Sequence, residues 1–338
     1  MRDLLSILTS LASWRTLALV LAFINLKNLP FVWHFRLLYH FAGNLRLKPN
    51  APFFPKEKAI VDPQGKPTHP VFVPYGITSR TPLLETDYNL HKSNSTYFTD
   101  LDVSRTALVT RLYSPGVGIV SKELDLEFAD KAQKEGKAPP KRRLPIMIVL
   151  GSVYCSFKRE IKPFKLYEMH SKVISWDQKW MYILTVFLRP AKRAGEEKTL
   201  LATALSKYVV KKGRLTVSPE RLLRASGFLP ASDENSTQSA PVDSSTDASG
   251  VGTPASGEGI TAGEVDGSLV REVLKISDGQ IPRSDALEDE KRINAASWNT
   301  EEWSWERIEQ ERLRGLQVVK PYIDVDQEVG KECEKWTQ

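Results

Sequence analysis

Cysteine is scarce in this chain of 338 residues: Cys155 and Cys333 stand far apart, with no CxxC and no histidine at metal-ligand spacing. Neither a disulfide framework nor a zinc site can be argued from them, and a reducing compartment is implied. The P-loop, GxGxxG and GxSxG patterns are also missing, which removes the commonest nucleotide-binding and serine-hydrolase signatures. No cofactor is expected. Basic residues are absent from Ala231 to Ser268, where seven acidic residues sit among Ser, Thr, Gly and Ala. Almost no large apolar side chain occurs there, so the stretch buries too little surface to offset its ordering entropy and reads as a disordered insertion. With net charge +6 overall, the other 300 residues carry +13. That balance suits phosphates or lipid head groups, and an ordinary solvated basic surface equally well.

What the chain does have, from Leu4 to Leu26, is a nearly unbroken apolar run interrupted by Arg15. On the insertion scale its Leu, Ile, Val and Phe residues contribute roughly −4 to −7 kcal/mol, against about +3 for the arginine. A single span is thus favoured over an interfacial helix or a packing helix, and no small-residue cleavage site marks a signal peptide. Arg2 precedes the run while Lys27, Arg36, Arg46, Lys48, Lys56 and Lys58 follow it, so a spanning protein would face the cytosol. Residues 1–50 are read as membrane anchor and amphipathic segment, and 51–69, rich in Pro and Lys, as a linker.

A folded core is expected over 70–230. Pro70 to Thr78 reads as a first strand, and Ser95 to Tyr113 as a helix, with Tyr97, Leu101, Leu108 and Leu112 on one face and Ser93 or Asn94 as its cap. After a charged excursion, Ser121 to Arg143, come four runs of aromatic and β-branched residues: Leu144 to Lys158, Phe164 to Trp176, Trp180 to Arg189 and Thr199 to Val210. Strand, long helix, then antiparallel meander is an α+β layer with one sheet wrapped round one helix. Residues 231–268 form the insertion and 269–338 a helical extension, with a helix capped by Thr300 and stopped at Gly315.

The chemistry-bearing residues precede the helix, in Glu85-Thr-Asp87-Tyr-Asn-Leu-His91-Lys-Ser-Asn94-Ser-Thr-Tyr97. This stretch resembles the Asp-x-x-Gly-His-x-Asn-Asn-x-x-Tyr signature of hot-dog-fold acyl thioesterases of the 4-hydroxybenzoyl-CoA thioesterase class. Asp87 falls on the family's catalytic carboxylate, His91, Asn94 and Tyr97 on its His, Asn and Tyr, Asp102 on an acidic helix position, and Arg105 on the closing Arg. A closer likeness is to the thioesterase-superfamily-member-6-like group, which includes fungal thioesterases of lipopeptide and other secondary-metabolite clusters. It rests on the apolar N-terminus, on Lys158-Arg-Glu-Ile-Lys-Pro163-Phe164 and on Ser-Pro-Glu-Arg from Ser218 to Arg221. The chain departs from the family where its Gly before the His is Leu90.

The resemblance implies a hot-dog fold and hydrolysis of an acyl thioester carried by CoA or a carrier protein, in lipid or secondary-metabolite biosynthesis. Physically, Asp87 would attack the carbonyl or activate water, amides near Leu90 to Asn94 at the helix start would hold the oxyanion, and His91 or Asn94 would orient the reactants. The bland readings are a loop-capping Asp87, a structural His91, Asn94 as plain N-cap, and Asp102 with Arg105 as a helix pair. A weaker substrate role falls to Tyr97, Asp102, Arg105, Lys158 and Arg159, the last two in a basic rim with Lys162, Lys165, Lys207, Lys211, Lys212 and Arg214 that faces the carrier's phosphate. A noncatalytic acyl-binding scaffold is the alternative. An enoyl-thioester hydratase fits less well, its Asp-to-His spacing being one residue longer. The expected partners are the thioester, a membrane and a second copy in a homodimer, since a single wrapped sheet leaves edge strands unpaired; no nucleic acid is expected.

Overall fold

In a computed structural model of the chain, the described residues are 13–45, 60–61, 65, 67–136, 144–191, 193, 195–230, 284–295 and 303–337. The linker over 51–69, for the most part, and the insertion over 231–268 lie outside them, as does the Thr300 cap. Two short helices, α1 (Trp14–Ile24) and α2 (Val32–Asn44), come first. Strand β1 (Tyr75–Arg80) and the long helix α3 (Thr96–Lys134) follow, then β2 (Ile146–Phe157), β3 (Leu166–Trp176), β4 (Trp180–Arg189), β5 (Thr199–Lys212) and β6 (Leu215–Val217). Helices α4 (Pro219–Ala225), α5 (Ser284–Ala295) and α6 (Trp305–Thr337) complete the described chain. The strands form one antiparallel sheet in the order β1-β3-β4-β5-β2, with β6 beside β5. This curled sheet around a central helix is the hot-dog fold.

Alternation builds it. Tyr167, Met169, Ser171 and Val173 of β3 point inward and are buried, as strand periodicity demands. Against them α3 lays two apolar clusters, one around Tyr97, Leu101 and Ala107, the other around Leu108, Leu112, Ile119 and Leu124. A polar seam lies near the middle of the helix: Ser104 and Thr185 each bond the Ser171 hydroxyl at 2.7 Å, and the buried Arg105 donates to Ser206 at 2.7 Å. Every member of this seam has a partner, which is what makes its burial tolerable.

Helix α3 does not end near Tyr113 but continues through Pro115 to Lys134, converting much of the expected excursion into helix. Proline forfeits one helical hydrogen bond, and the turns beyond it offset that by burying Ile119, Val120 and Leu124. Neither Ser93 nor Asn94 caps it; Ser95 stands at the N-cap, and its hydroxyl bonds that of Ser93 at 3.1 Å without capping the helix. Gly315 is likewise no stop, because α6 runs on through it to Thr337. The glycine lets α6 lie on the outer face of the sheet: a Cβ at 315 would stand 1.8 Å from the carbonyl oxygen of Ile174. Ser206 faces inward to Arg105 while the next residue, Lys207, faces outward to Asp326 of α6, and Tyr322 bonds Ser152 of β2 at 2.6 Å.

The membrane anchor is corrected. Among the described residues no helix is long and apolar enough to cross a membrane. Helix α1 has 11 residues, about 16 Å of helix against roughly 30 Å of hydrocarbon. It stops because the chain turns into the core: Asn25 Nδ2 donates to Leu21 O at 2.8 Å, its Oδ1 accepts the Leu84 N–H at 2.7 Å, and Lys27 forms ion pairs with buried carboxylates. The single-pass, cytosol-facing localisation built on that span falls with it; residues 1–12 lie outside the described part.

Two consequences are measurable. Gly315→Ala forces α6 away from β3 and is expected to cost about 1–3 kcal/mol, the usual range for overpacking; an unchanged melting temperature would refute the close approach. His69, buried between Phe72 and Trp303, has its imidazole pushed down to about 3 by burial. The unfolded chain, titrating near 6.5, then takes up the proton first. Stability is therefore complete above about pH 6.5 and falls by about 1.4 kcal/mol per unit below it. Melting curves between pH 7.5 and 5 should show this slope in the wild type and a flatter one in His69→Asn; equal slopes would contradict a neutral buried imidazole.

Candidate active site

The motif folds as a tight loop closed at its neck. Pro82 opens a 3-10 turn over Leu83–Glu85; Thr86 and Lys92 then pair as an antiparallel bridge. The Ser93 amide donates to Glu85 O at 2.7 Å and the Asp87 amide to His91 O at 2.9 Å. Within the loop, the Leu90 amide donates to Asp87 O at 3.0 Å and the Asn89 amide to Asp87 Oδ1 at 2.9 Å. Such a reversal needs a left-handed residue, and Leu90 supplies it with φ 58°. The family's glycine position thus keeps a glycine's conformation, at a cost of roughly 1–2 kcal/mol for a side-chain-bearing residue.

This geometry brings Asp87 and His91 together. His91 Nδ1 lies 3.5 Å from Asp87 Oδ2, with the two side chains 23% and 21% exposed. Asp87 accepts an amide through one oxygen and faces His91 with the other, so the capping and chemical readings coexist. Asn94 stands exposed at the opening of α3. Of the amides named from the sequence, those of Leu90, Lys92 and Ser93 are committed to backbone acceptors, as are Thr96 and Tyr97 one turn on. The amides of His91, Asn94 and Ser95 have no such acceptor among the described residues, and the last two stand at the helix start, where the macrodipole favours negative charge.

Tyr97 belongs to the core beneath the loop, its ring 4.9 Å from Phe157 and 5.0 Å from Phe187. Arg105 is committed to Ser206, to Leu101 O and, at 2.6 Å, to Asp102, so the structure places this pair in the polar seam and not at the loop. Lys158 and Arg159 are exposed on the turn after β2. That turn abuts the motif, since Ile161 O accepts the Lys92 amide at 2.8 Å and Thr81 O accepts the Phe164 amide at 2.7 Å. Lys162 and Lys165 share its exposed surface. The rest of the expected rim lies elsewhere: Lys207 pairs with Asp326, Lys211 bonds Thr216, and Lys212 is buried against Asp125 and Ser121.

Sequence reasoning missed the charges under the loop. Asp100, fully buried, lies 2.9 Å from Lys92 and 2.8 Å from Lys27, and it accepts the Tyr167 hydroxyl. Arg36 reaches it at 3.3 Å. Glu85 pairs with Lys92 at 2.5 Å and with Lys27 at 2.9 Å. Burial alone would raise the Asp100 carboxyl, but Lys27, Lys92 and Arg36 more than reverse this and hold it well below the usual range. Burial pulls the Lys27 ammonium below its ordinary value, against the attraction of Asp100. Burial, then Asp100, raises the Tyr167 phenol. One signal was present: Asp100 shares a helix face with Tyr97 and Leu101, and an acid on an apolar face requires a buried cation.

Comparison with known proteins agrees with the topology. The Thioesterase-like superfamily matches residues 81–226. Thioesterase lcsJ of Purpureocillium lilacinum is 34% identical over 325 residues, covering 93% of this chain and 91% of that protein. Probable thioesterase atnL of Emericella nidulans is 35% identical over 226 residues, 62% of this chain and 70% of its own. Thioesterase poxG of Penicillium oxalicum is 34% identical over 238 residues, 65% of this chain and 73% of its own. With the Asp87 to Tyr97 motif on the loop that opens the central helix, and a relative matched along nearly its whole length, the chain belongs to the Thioesterase-like superfamily.

Proposed function

We propose that the chain hydrolyses an acyl thioester of CoA or of a carrier-protein phosphopantetheine arm, in lipid or secondary-metabolite biosynthesis, with Asp87 delivering the nucleophile. The relatives are named as thioesterases, one of them as a probable thioesterase, and the chain is a thioester hydrolase. The observation that supports the assignment of residues is the Asp87–His91 pair, 3.5 Å apart on a loop closed by backbone bonds. Asp87 takes a proton from water, whose oxygen adds to the thioester carbonyl, and the C–S bond then breaks with that proton passing to the leaving thiolate. If Asp87 adds directly instead, the thiolate leaves and an acyl-Asp87 anhydride remains, which water hydrolyses. The Asn94 and Ser95 amides receive the developing oxyanion, and His91 and the Asn94 side chain orient the reactants. The exposed turn bearing Lys158, Arg159, Lys162 and Lys165 holds the carrier's phosphate beside the motif.

Asp87→Asn keeps size and the amide contact but removes the charge. It is expected to lower kcat by about 10²-fold to 10⁴-fold with little change in KM, read as free thiol released from short, medium and long acyl-CoAs. His91→Ala should reduce kcat/KM with the melting temperature unchanged. Wild-type turnover in both variants would overturn the assignment of Asp87 and His91 and move the chemistry to other residues.

The active form in this reading is a homodimer. Strand β2 is an edge of the sheet, 12 residues long, and leaves Met147, Leu150, Tyr154 and Phe157 exposed along it. Such an edge is a template for pairing unless it is covered, and a second copy would cover it. Light scattering of the purified chain is expected to show twice the protomer mass; an active monomer would overturn this.

A further inference from the structure

We propose that Lys27 is a positioning residue of the active site, through which the N-terminal helices hold the loop bearing Asp87 and His91; this rests on the catalytic reading above. The two residues at the neck of the loop are Glu85 and Lys92. Glu85 O receives the Ser93 amide, Lys92 pairs with Thr86 in the bridge, and their side chains are joined at 2.5 Å. Asp87 and His91 lie just inside this neck, joined by the Asp87 amide and His91 O.

Lys92 is shared between two buried carboxylates, Glu85 at 2.5 Å and Asp100 at 2.9 Å. Lys27, arriving from 58 residues upstream of Glu85, contributes the second ammonium. It stands 2.9 Å from Glu85 and 2.8 Å from Asp100, and it also contacts the Tyr167 hydroxyl at 3.0 Å. It therefore ties the neck to the first turns of α3, whose opening amides form the other half of the site. Asn25 fastens the same place from the next turn of chain, accepting the Leu84 amide, while Trp33 donates to Thr99 O at 3.2 Å and Arg36 reaches Asp100.

Without Lys27, both carboxylates compete for Lys92, because Arg36 touches Asp100 but not Glu85. A buried carboxylate left short of a partner moves toward water, and here that motion drags the neck. Displacements of about 1 Å in a catalytic group cost on the order of 10²-fold in rate. A residue that only stabilised the fold would lower the melting temperature and leave kcat of the folded fraction unchanged.

The test uses the full chain, with kcat, KM and melting temperature measured on an acyl-CoA series for Lys27→Met, Lys27→Arg, Glu85→Gln and Asp87→Asn. Lys27→Met is expected to lower kcat roughly tenfold to a hundredfold with KM within about twofold, and Lys27→Arg to restore most of the loss. Folded Lys27→Met with wild-type kcat overturns the proposal while Asp87→Asn, if inactive, leaves the catalytic reading standing. Should Lys27→Met fail to fold, Glu85→Gln takes its place, since it removes the charge at the neck but leaves Lys27 with Asp100: loss of kcat supports the proposal, wild-type kcat overturns it. Active Asp87→Asn overturns both readings.

Discussion

The carboxylate of Asp100 is the interaction on which the architecture around the site depends. It is fully buried on the central helix, and an unpaired charge there would cost several kcal/mol. Three cations and a phenol answer it, and they come from four separate places: Lys27 between α1 and α2, Arg36 in α2, Lys92 at the loop neck and Tyr167 in β3. Satisfying one charge thus fixes the N-terminal helices, the motif loop, the central helix and the sheet relative to one another. The same requirement ends helix α1 at Ile24, because Lys27 belongs inside the protein.

Lys92 has a second role. Its ammonium lies 5.3 Å from the centre of the Tyr97 ring and 5.4 Å from that of Tyr167, so aromatic faces complete the surroundings of the charge. Tyr97, matched to the family's tyrosine, thereby packs beneath the loop between Phe157, Phe187 and a buried cation. Its contacts are with the core under the loop. Arg105 is similar in kind: its bonds to Ser206 and Leu101 O tie α3 to β5 through the polar seam.

The sheet, its antiparallel order and the position of the motif before the central helix were legible in the sequence, because strand alternation and the Asp-to-Tyr spacing are local patterns. What was not legible depends on contacts between distant segments. Pro115 and Gly315 are local helix breakers, and each is overridden by packing: the first by Ile119, Val120 and Leu124, the second by contact with Ile174 O. Lys27 reads as a flanking charge of an apolar run until Glu85 and Asp100 are placed beside it. Of the site, Asp87 and His91 were named through the family resemblance, whereas their approach to each other and the neck beneath them depend on how the loop closes.

Leu90 shows how the family's pattern survives substitution. The resemblance calls for glycine, and loss of glycine suggests a reshaped loop. The backbone at 90 nevertheless keeps φ 58°, and the side chain is 71% exposed, so nothing in the loop has to move to accommodate it. The conformational cost, roughly 1–2 kcal/mol, is borne by a loop whose neck is closed by the Glu85–Lys92 pair and the two backbone bonds of the Thr86–Lys92 bridge. Strain of this kind persists only where the surroundings over-determine the conformation. The charges beneath the neck are those surroundings, and they are why the turn presenting Asp87 and His91 can keep its shape with a leucine where the family has glycine.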